Sequence, residues 1–319
     1  MKAAWIANAA KGDLSVVVGE TADPQPDENG MLVAVEAVGL TFGEPHWVTN
    51  GTMPLPDGRA RPLPVIVGHE FAGHVIDVGA NGEAFSLGDR VFGLIDFWRN
   101  GAAAELAHVL PSEVARIPDG VSAIDASTLP IGALTAWQGL FDHGRLTAGD
   151  TVLVHGGAGA VGTFAIQLAK DLGARVVVTV RGAHAAELCR ALGADVVIDT
   201  TAKRFEDIAG AVDLVFDTVG RDLLERSWSV VRKGGRLVTI AGEADDAPSP
   251  ERAAALGIAA AWFIVRPDAA QLAELAGRVR DGRIAVQVDA VFALDDAARV
   301  FRDAEGRPHF GKTVLTTDR

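Results

Sequence analysis

Residues 151–174 have the sequence TVLVHGGAGAVGTFAIQLAKDLGA. A short apolar run with strand character is followed at once by a glycine-rich turn, and the turn opens into an amphipathic helix pattern. Gly157, Gly159 and Gly162 give the turn the spacing G-x-G-x-x-G. The spacing alone would be weak evidence, but a strand before it and a helix after it are typical of a dinucleotide-binding βαβ unit.

Each of these glycines has a predicted role. Gly157 would permit the tight turn, Gly159 would let the backbone approach a pyrophosphate, and Gly162 would let the helix pack closely on the strand. The helix N-terminus would offer unpaired N–H groups and the positive end of its dipole to phosphates. The sequence therefore predicts a bound dinucleotide here, with an empty structural turn as the alternative.

Strand and helix patterns continue to alternate after this turn. Six apolar runs predict strands: TVLVH, RVVVTV, DVVID, DLVFDTV, RLVTIA and AAWFIV. Three amphipathic stretches predict helices between the earlier strands: TFAIQLAKDLG, AHAAELCRALG and RDLLERSWSVVRKG. Strands rich in Val and Ile that alternate with helices predict an α/β fold with a doubly wound parallel sheet of the Rossmann type.

The two ends of the chain have another pattern. Short β segments such as MLVAVEAVGL, PVIVGHEFAGHVIDVG and DRVFGL predict an irregular, mainly β domain over residues 1–120. Near the C-terminus a helix, a strand, a helix and a strand do not extend the alternation. We therefore expect residues 121–264 to form a nucleotide-binding domain inserted in the first one, and residues 265–319 to return to that first domain.

The composition narrows the function. Hydrophobic residues make up 49% of the chain and charged residues 22%, as in an ordinary globular protein, and no apolar run is long enough for a membrane span. A formal charge of −13 argues against nucleic-acid binding. The N-terminus lacks a signal-peptide pattern, so we expect a cytoplasmic protein without a membrane partner. The single cysteine, Cys189, rules out an internal disulfide and is expected in a core.

The end of the second predicted strand selects the dinucleotide. NAD-binding folds carry an Asp or Glu there for the ribose 2′-hydroxyl, but this chain has Val180 followed by Arg181. A guanidinium can hold the 2′-phosphate of NADPH in a charge-assisted hydrogen bond. The sequence therefore favours NADPH, the alternative being that Arg181 is only a solvated loop residue.

The chain resembles the medium-chain dehydrogenase/reductase superfamily, and within it the zinc-independent quinone oxidoreductase-like group. The resemblance extends over nearly the whole length and rests on motifs in the same order. These motifs are Gly39 in AVGL, GHEFAG from Gly68, GDRVFG from Gly88, LTAW from Leu134, HGGAGAVG from His155, LGAD from Leu192, DTVG from Asp217 and GKTVL from Gly311.

The resemblance implies a GroES-like catalytic domain, a Rossmann domain that binds NADPH, a small-molecule substrate and a homodimer formed through AAWFIV. It also implies a set of residues that line the cofactor site. These are Thr135, Gly159, Ala160, Val161, Arg181, Val219, Ala241, Gly242, Phe263, Val265 and Lys312.

The zinc ligands of the metal-dependent branch are largely missing. In that branch His69 supplies one ligand, but the cysteine position holds Thr41 and the third position falls within Leu129–Gly132, which offers none. We therefore expect no metal; an unusual site made of His46, His69 and Glu70 is the alternative. Without a Lewis acid, reduction of a quinone or an α,β-unsaturated carbonyl is favoured over alcohol oxidation.

The resemblance places Thr41, Glu44 and His46 where the family contacts substrate and nicotinamide. All three depart from the residues usual in quinone oxidoreductases. His46 is the acid–base candidate because its unperturbed pKa lies near neutrality, and His69 is a candidate donor to substrate or a structural hydrogen bonder. Two alternative functions stay open, a zinc-dependent alcohol dehydrogenase and a protein that binds NADPH without turnover.

Overall fold

The computed structural model describes residues 1–7, 15–25, 29–49, 62–79, 84–242, 246–304 and 306–317, and for residues 48 and 49 only the backbone. The strands are β1 (Lys2–Ile6), β2 (Val16–Glu20), β3 (Met31–Gly39), β4 (Val65–Ile66), β5 (Glu70–Asp77), β6 (Arg90–Leu94), β7 (Leu106–Val109), β8 (Val114–Arg116), β9 (Thr151–His155), β10 (Arg175–Val180), β11 (Val196–Asp199), β12 (Val212–Asp217), β13 (Val231–Thr239), β14 (Ala259–Trp262), β15 (Val288–Ala293) and β16 (Lys312–Thr316). The α-helices are α1 (Glu44–Thr49), α2 (Ala123–Ser127), α3 (Leu134–Trp137), α4 (Gly162–Leu172), α5 (Ala183–Ala191), α6 (Glu206–Ala209), α7 (Arg221–Ser227), α8 (Pro250–Leu256), α9 (Ala269–Arg280) and α10 (Ala297–Asp303).

The chain forms two compact units. The first unit comprises residues 1–131, 266–281 and 288–319, and the second comprises residues 132–265 and 282–287. Across the described ranges, no helix combines the length and the apolar character that crossing a membrane requires.

The second unit is built on a parallel sheet of six strands. Their order is β11-β10-β9-β12-β13-β14, which is the doubly wound order of dinucleotide-binding folds. The strands are apolar on both faces, and Leu153, Val177 and Val215 are completely buried in its core. The predicted Rossmann class is therefore confirmed.

The first unit is mainly β. Its larger sheet has the order β15-β16-β3-β5-β6-β8, with β7 paired to β3, and a smaller sheet has the order β2-β1-β4. The two β runs predicted in PVIVGHEFAGHVIDVG enter different sheets, since β4 pairs with β1 and β5 pairs with β3. Gly68 lies between them with a φ of +79°, a left-handed conformation that glycine adopts at little cost. The mainly β character predicted for this part of the chain is confirmed.

One predicted helix is shorter than expected. The stretch RDLLERSWSVVRKG forms α7 only as far as Ser227, and β13 begins at Val231. Val231, which the predicted helix included, instead pairs with Val212 of β12, because a β-branched residue is favoured in a strand.

Candidate cofactor and catalytic sites

The glycine-rich turn begins at the carboxyl end of β9, in the middle of the parallel sheet. His155 is the last residue of the strand, and Gly156 follows it with a φ of +78°. This left-handed conformation allows the chain to leave the strand, and it requires glycine at that position. The tight turn therefore depends on Gly156, one residue before the Gly157 predicted for it.

Gly157 has a packing role. A Cβ on Gly157 would lie 3.0 Å from both the Sγ of Cys189 and the Cβ of Val178. Cys189 is buried on α5, and this burial raises the pKa of its thiol to about 12. Cys189 is thus an inert core residue, as expected, and Gly157 lets β10 and α5 approach the turn.

Gly162 and Gly159 have different surroundings. A Cβ on Gly162 would lie 2.2 Å from the carbonyl oxygen of Gly156, so the first turn of α4 can sit against the turn only with glycine there. A Cβ on Gly159 would have a single atom within 4 Å, the oxygen of Gly156 at 3.5 Å. Protein packing therefore leaves space beside Gly159, whereas it fills the space beside Gly162.

These features fit a pyrophosphate. The N-terminus of α4 has Val161 at its N-cap position and no side-chain cap, so it can offer backbone N–H groups to an anion. The space beside Gly159 lies three residues before this helix start. The residues present thus suit the phosphates of a dinucleotide.

A buried polar network lies behind the turn. His155 Nδ1 lies 2.8 Å from Thr179 Oγ1, and its Nε2 lies 2.8 Å from Ser227 Oγ. Ser227 donates its own hydrogen to the carbonyl oxygen of Leu223, so it must accept the hydrogen of Nε2. Burial lowers the pKa of His155 to about 4. The ring is therefore neutral at pH 7, with its proton on Nε2 and with Thr179 donating to Nδ1.

Two opposite charges lie at the carboxyl ends of β10 and β11. Arg181 is exposed and follows Val180 directly. The parallel register places Val180 opposite Asp199, the last residue of β11. The sequence around Arg181 shows no carboxylate nearby, but the fold brings the carboxylate of Asp199 to the same end of the sheet.

The other predicted cofactor residues of the second unit lie at several places. Thr135 is buried on α3, and Phe263 stacks on His143 with ring centroids 4.3 Å apart. Val219 is 45% exposed, with its N–H bonded to Asp217. Val219, Ala241 and Gly242 line a cavity of about 680 Å³ that does not include the glycine turn. The remaining residues are Ala160 and Val161, which are half-buried in the turn, and Val265, which is buried after β14.

In the first unit, Thr41 belongs to a buried charged cluster with Glu70 and Lys312. Lys312 is 3% exposed; its ammonium donates to Thr41 Oγ1 at 2.9 Å and forms an ion pair with Glu70. Glu70 Oε2 also accepts the N–H of Ile131 at 3.0 Å. Burial raises the pKa of Glu70, and the nearby charge of Lys312 opposes that rise. Of the three side chains only Thr41 is partly exposed.

His69 forms a second buried pair, with Glu44. His69 Nδ1 lies 2.5 Å from Glu44 Oε1, and its Nε2 lies 3.0 Å from the carbonyl oxygen of Arg99. A carbonyl can only accept, so Nε2 carries a hydrogen, and one further proton lies between Nδ1 and Glu44. Both ring nitrogens are thus engaged within the unit, which favours the structural alternative for His69.

His46 differs from Glu44 and His69 in its exposure. It is exposed on α1, whereas Glu44 of the same helix is 1% exposed. Trp47 packs edge-on against Phe97, with ring centroids 5.5 Å apart, and Phe97 lies 5.3 Å from the ring of His69. Helix α1 therefore contacts His69 through Glu44, and it contacts the loop that carries Phe97 through Trp47.

The donors do not fit a zinc ion. Within the described ranges, no group of three or more His, Cys, Asp or Glu side chains is arranged to hold a metal. Both nitrogens of His69 are hydrogen-bonded, Glu70 is paired with Lys312, and His46 is exposed. To coordinate a metal, the alternative site of His46, His69 and Glu70 would have to break the buried ion pair of Glu70 and one of the two hydrogen bonds of His69.

Known proteins resemble both parts of the chain. Residues 27–119 match the alcohol dehydrogenase GroES-like domain, and residues 192–315 match the family described as zinc-binding dehydrogenase. A quinone oxidoreductase of Pseudomonas aeruginosa is 33% identical, over 93% of this chain and 94% of that protein. A probable zinc-binding oxidoreductase of Arthroderma benhamiae is 30% identical, over 95% and 92%. The chain belongs to the medium-chain dehydrogenase/reductase superfamily. It is an oxidoreductase by that membership.

Other members of the superfamily extend the comparison. The 2-methylene-furan-3-one reductase of Solanum lycopersicum is 33% identical over 80% of this chain, which spans 64% of that longer protein. The quinone oxidoreductase structure from Coxiella burnetii gives a TM-score of 0.87 at 26% identity, over 99% of both chains. The Escherichia coli quinone oxidoreductase complexed with NADPH gives 0.86 at 25% identity, over 99% of this chain and 100% of that one.

Proposed function

We propose that this chain is an NADPH-dependent oxidoreductase that transfers hydride to a quinone or an α,β-unsaturated carbonyl compound without zinc. The observation that carries the proposal is the turn between β9 and α4. It combines an open space beside Gly159, an uncapped helix start and the first strand of a doubly wound sheet. Relatives named quinone oxidoreductase and furanone reductase, and a neighbour complexed with NADPH, support it.

The second unit would hold the cofactor. The turn at Gly159 and the start of α4 would bind the pyrophosphate, and Arg181 would bind the 2′-phosphate of NADPH. When bound, the reduced nicotinamide supplies a hydride. The remaining contacts are proposed for Thr135, Gly157, Ala160, Val161, Gly162, Val219, Ala241, Gly242, Phe263, Val265 and Lys312. A homodimer would form through β14, which is the edge strand of the sheet.

Among the described residues of the first unit, Thr41 is proposed as the hydrogen-bond donor to substrate. Hydride addition puts negative charge on the oxygen of a quinone or enone, and a positioned O–H group stabilises that charge. The ammonium of Lys312 donates to Thr41 Oγ1, which strengthens the Thr41 hydroxyl as a donor. That hydroxyl donates to Glu70 Oε1 at 3.4 Å, a long bond that would be exchanged for one to the substrate oxygen. A proton that leaves Thr41 Oγ1 can be replaced from Lys312 Nζ. His46, which is exposed, is proposed only as a carrier of protons from solvent.

The experiment separates binding from turnover. Fluorescence titration with NADPH and NADH measures binding, and a panel of quinones and enones measures turnover through the nicotinamide absorbance. Thr41→Val should lower kcat by about 100-fold and leave the Kd of NADPH unchanged within about twofold. Thr41→Ser, the matched control, keeps the hydroxyl and should retain most of the activity.

Two results would overturn the proposal. Binding of NADPH without oxidation by any acceptor would favour the protein that binds NADPH without turnover. Activity that disappears with one tightly held zinc per chain, and returns with zinc, would favour the alcohol dehydrogenase.

A further inference from the structure

Asp199 reaches the nucleotide end of the sheet through strand pairing. Val180 and Asp199 are register partners and are the last residues of β10 and β11. Neighbouring strands lie about 4.8 Å apart, so the carboxylate starts one strand away from the residue that precedes Arg181. Thr200 fastens the two strand ends, since its N–H donates to the carbonyl oxygen of Val180 at 3.0 Å.

The charge of Asp199 is fixed by its neighbours. The N–H of Thr201 lies 3.0 Å from Asp199 Oδ1, and the Thr201 hydroxyl lies 2.8 Å from it. Together with the backbone N–H of Gly182, these donors hold the pKa of Asp199 below its usual range. Asp199 is therefore an oriented, partly exposed negative charge at neutral pH, next to the start of α5.

This charge opposes a 2′-phosphate. Arg181 directly follows β10, and the N–H of its neighbour Gly182 already donates to the carboxylate of Asp199. A phosphate that reaches them approaches a like charge, whereas the 2′-hydroxyl of NADH carries no charge and can donate to a carboxylate. Asp199 would therefore weaken the binding of NADPH and strengthen the binding of NADH.

We propose that Asp199 is a specificity-determining residue that reduces the preference for NADPH set by Arg181 and lets NADH compete. The inference rests on the proposed function, because it assumes a dinucleotide bound at the turn from Gly157 to Gly162. The cofactor preference of the second unit then depends on two opposing effects, the attraction of a 2′-phosphate by Arg181 after β10 and its repulsion by Asp199 at the end of β11.

The test measures binding to the full chain. Asp199→Asn removes the charge and keeps an oxygen that can accept from Thr201. The ratio of the Kd of NADH to the Kd of NADPH should rise about three- to tenfold, and the rise should shrink at high salt, which screens charge. Adenosine 2′,5′-bisphosphate and adenosine 5′-monophosphate differ only in the 2′-phosphate, so their Kd ratio should shift in the same way.

Asp195→Asn is the matched control, because Asp195 immediately precedes β11 at its opposite end and pairs with Lys170. It makes the same change in net charge and should leave the Kd ratio unaltered. A ratio that stays constant or falls in Asp199→Asn, or rises equally in Asp195→Asn, overturns the inference. A wild-type chain that binds neither dinucleotide overturns the proposed function itself, and the two failures are therefore distinguishable.

Discussion

Acidification from pH 6.5 to pH 5 should destabilise the second unit through His155. The imidazole is buried and neutral, and its pKa is lowered from 6.5 to about 4, chiefly by burial. In the unfolded chain the same residue takes up a proton near pH 6.5. Between these values the unfolded state binds more protons than the folded state. The contribution of the neutral His155 to the free energy of unfolding is therefore fully present above pH 6.5 and is lost as the pH falls toward 4.

The magnitude follows from the difference between the two pKa values. One proton bound only by the unfolded state gives a slope of about 1.4 kcal/mol per pH unit in the free energy of unfolding. The loss is about 2 kcal/mol between pH 6.5 and pH 5, and about 3 kcal/mol by pH 4. The pKa values of Asp195, Asp213 and Glu206 are lowered in the folded chain, so their contributions fade only nearer pH 4. These three carboxylates therefore contribute little above pH 5, and Glu70, whose pKa is raised, lies in the first unit.

Urea unfolding at several pH values, with hydrogen exchange of β9 amides as the reporter of this unit, measures the slope. His155→Gln is the reference, because an amide can both donate and accept but does not titrate. The free energy of unfolding of the wild type should fall about 2 kcal/mol more than that of the variant between pH 6.5 and pH 5. Equal slopes for the two proteins would refute the assignment of a neutral, buried His155.

Two further predictions concern the turn and the charged cluster. Gly162→Ala places a Cβ 2.2 Å from the Gly156 oxygen, so it should lower the Tm and abolish NADPH binding, whereas Gly159→Ala, with its nearest atom at 3.5 Å, should keep the Tm and weaken only binding. Thermal unfolding and fluorescence titration check both, and a normal Tm for Gly162→Ala would contradict the packing argument. Lys312→Met leaves the carboxylate of Glu70 buried without its counter-charge. It should lower the free energy of unfolding, measured with urea, by about 3–5 kcal/mol. Adding Glu70→Gln should restore most of this loss, and no recovery would show that the ion pair is not its cause.

The sheet of the second unit was predictable because its strands carry their own signal. Val- and Ile-rich runs separated by amphipathic helices allow few other arrangements. The helix α8 carries only a weak signal. Ser249 and Pro250 supply a start signal, but only Ala253 of the helix is buried, so no apolar periodicity marks it. The domain boundaries at residues 120 and 264 stay a prediction.

The candidate sites could be predicted only where their residues are close together in the sequence. The glycine spacing locates the turn, but Gly156 and Gly157 are adjacent and alike in sequence, so their roles depend on backbone dihedral angles. Asp199 arrives through strand register, and Lys312 reaches Thr41 across 271 residues. Such contacts are products of the fold and leave no local pattern.

The contact between Lys312 and Thr41 bears on how reduction could proceed without a metal. A developing oxyanion needs a positioned donor, and the ammonium of Lys312 holds the oxygen of Thr41 from 2.9 Å away. An ammonium that is 3% exposed is stable only beside a counter-charge, which Glu70 provides. In the proposed reaction Glu70 would therefore support the donor through Lys312 without contacting substrate. In the proposed reaction, the threonine at the cysteine position and the lysine paired with the glutamate would act together, with a fixed side-chain cation in place of a metal.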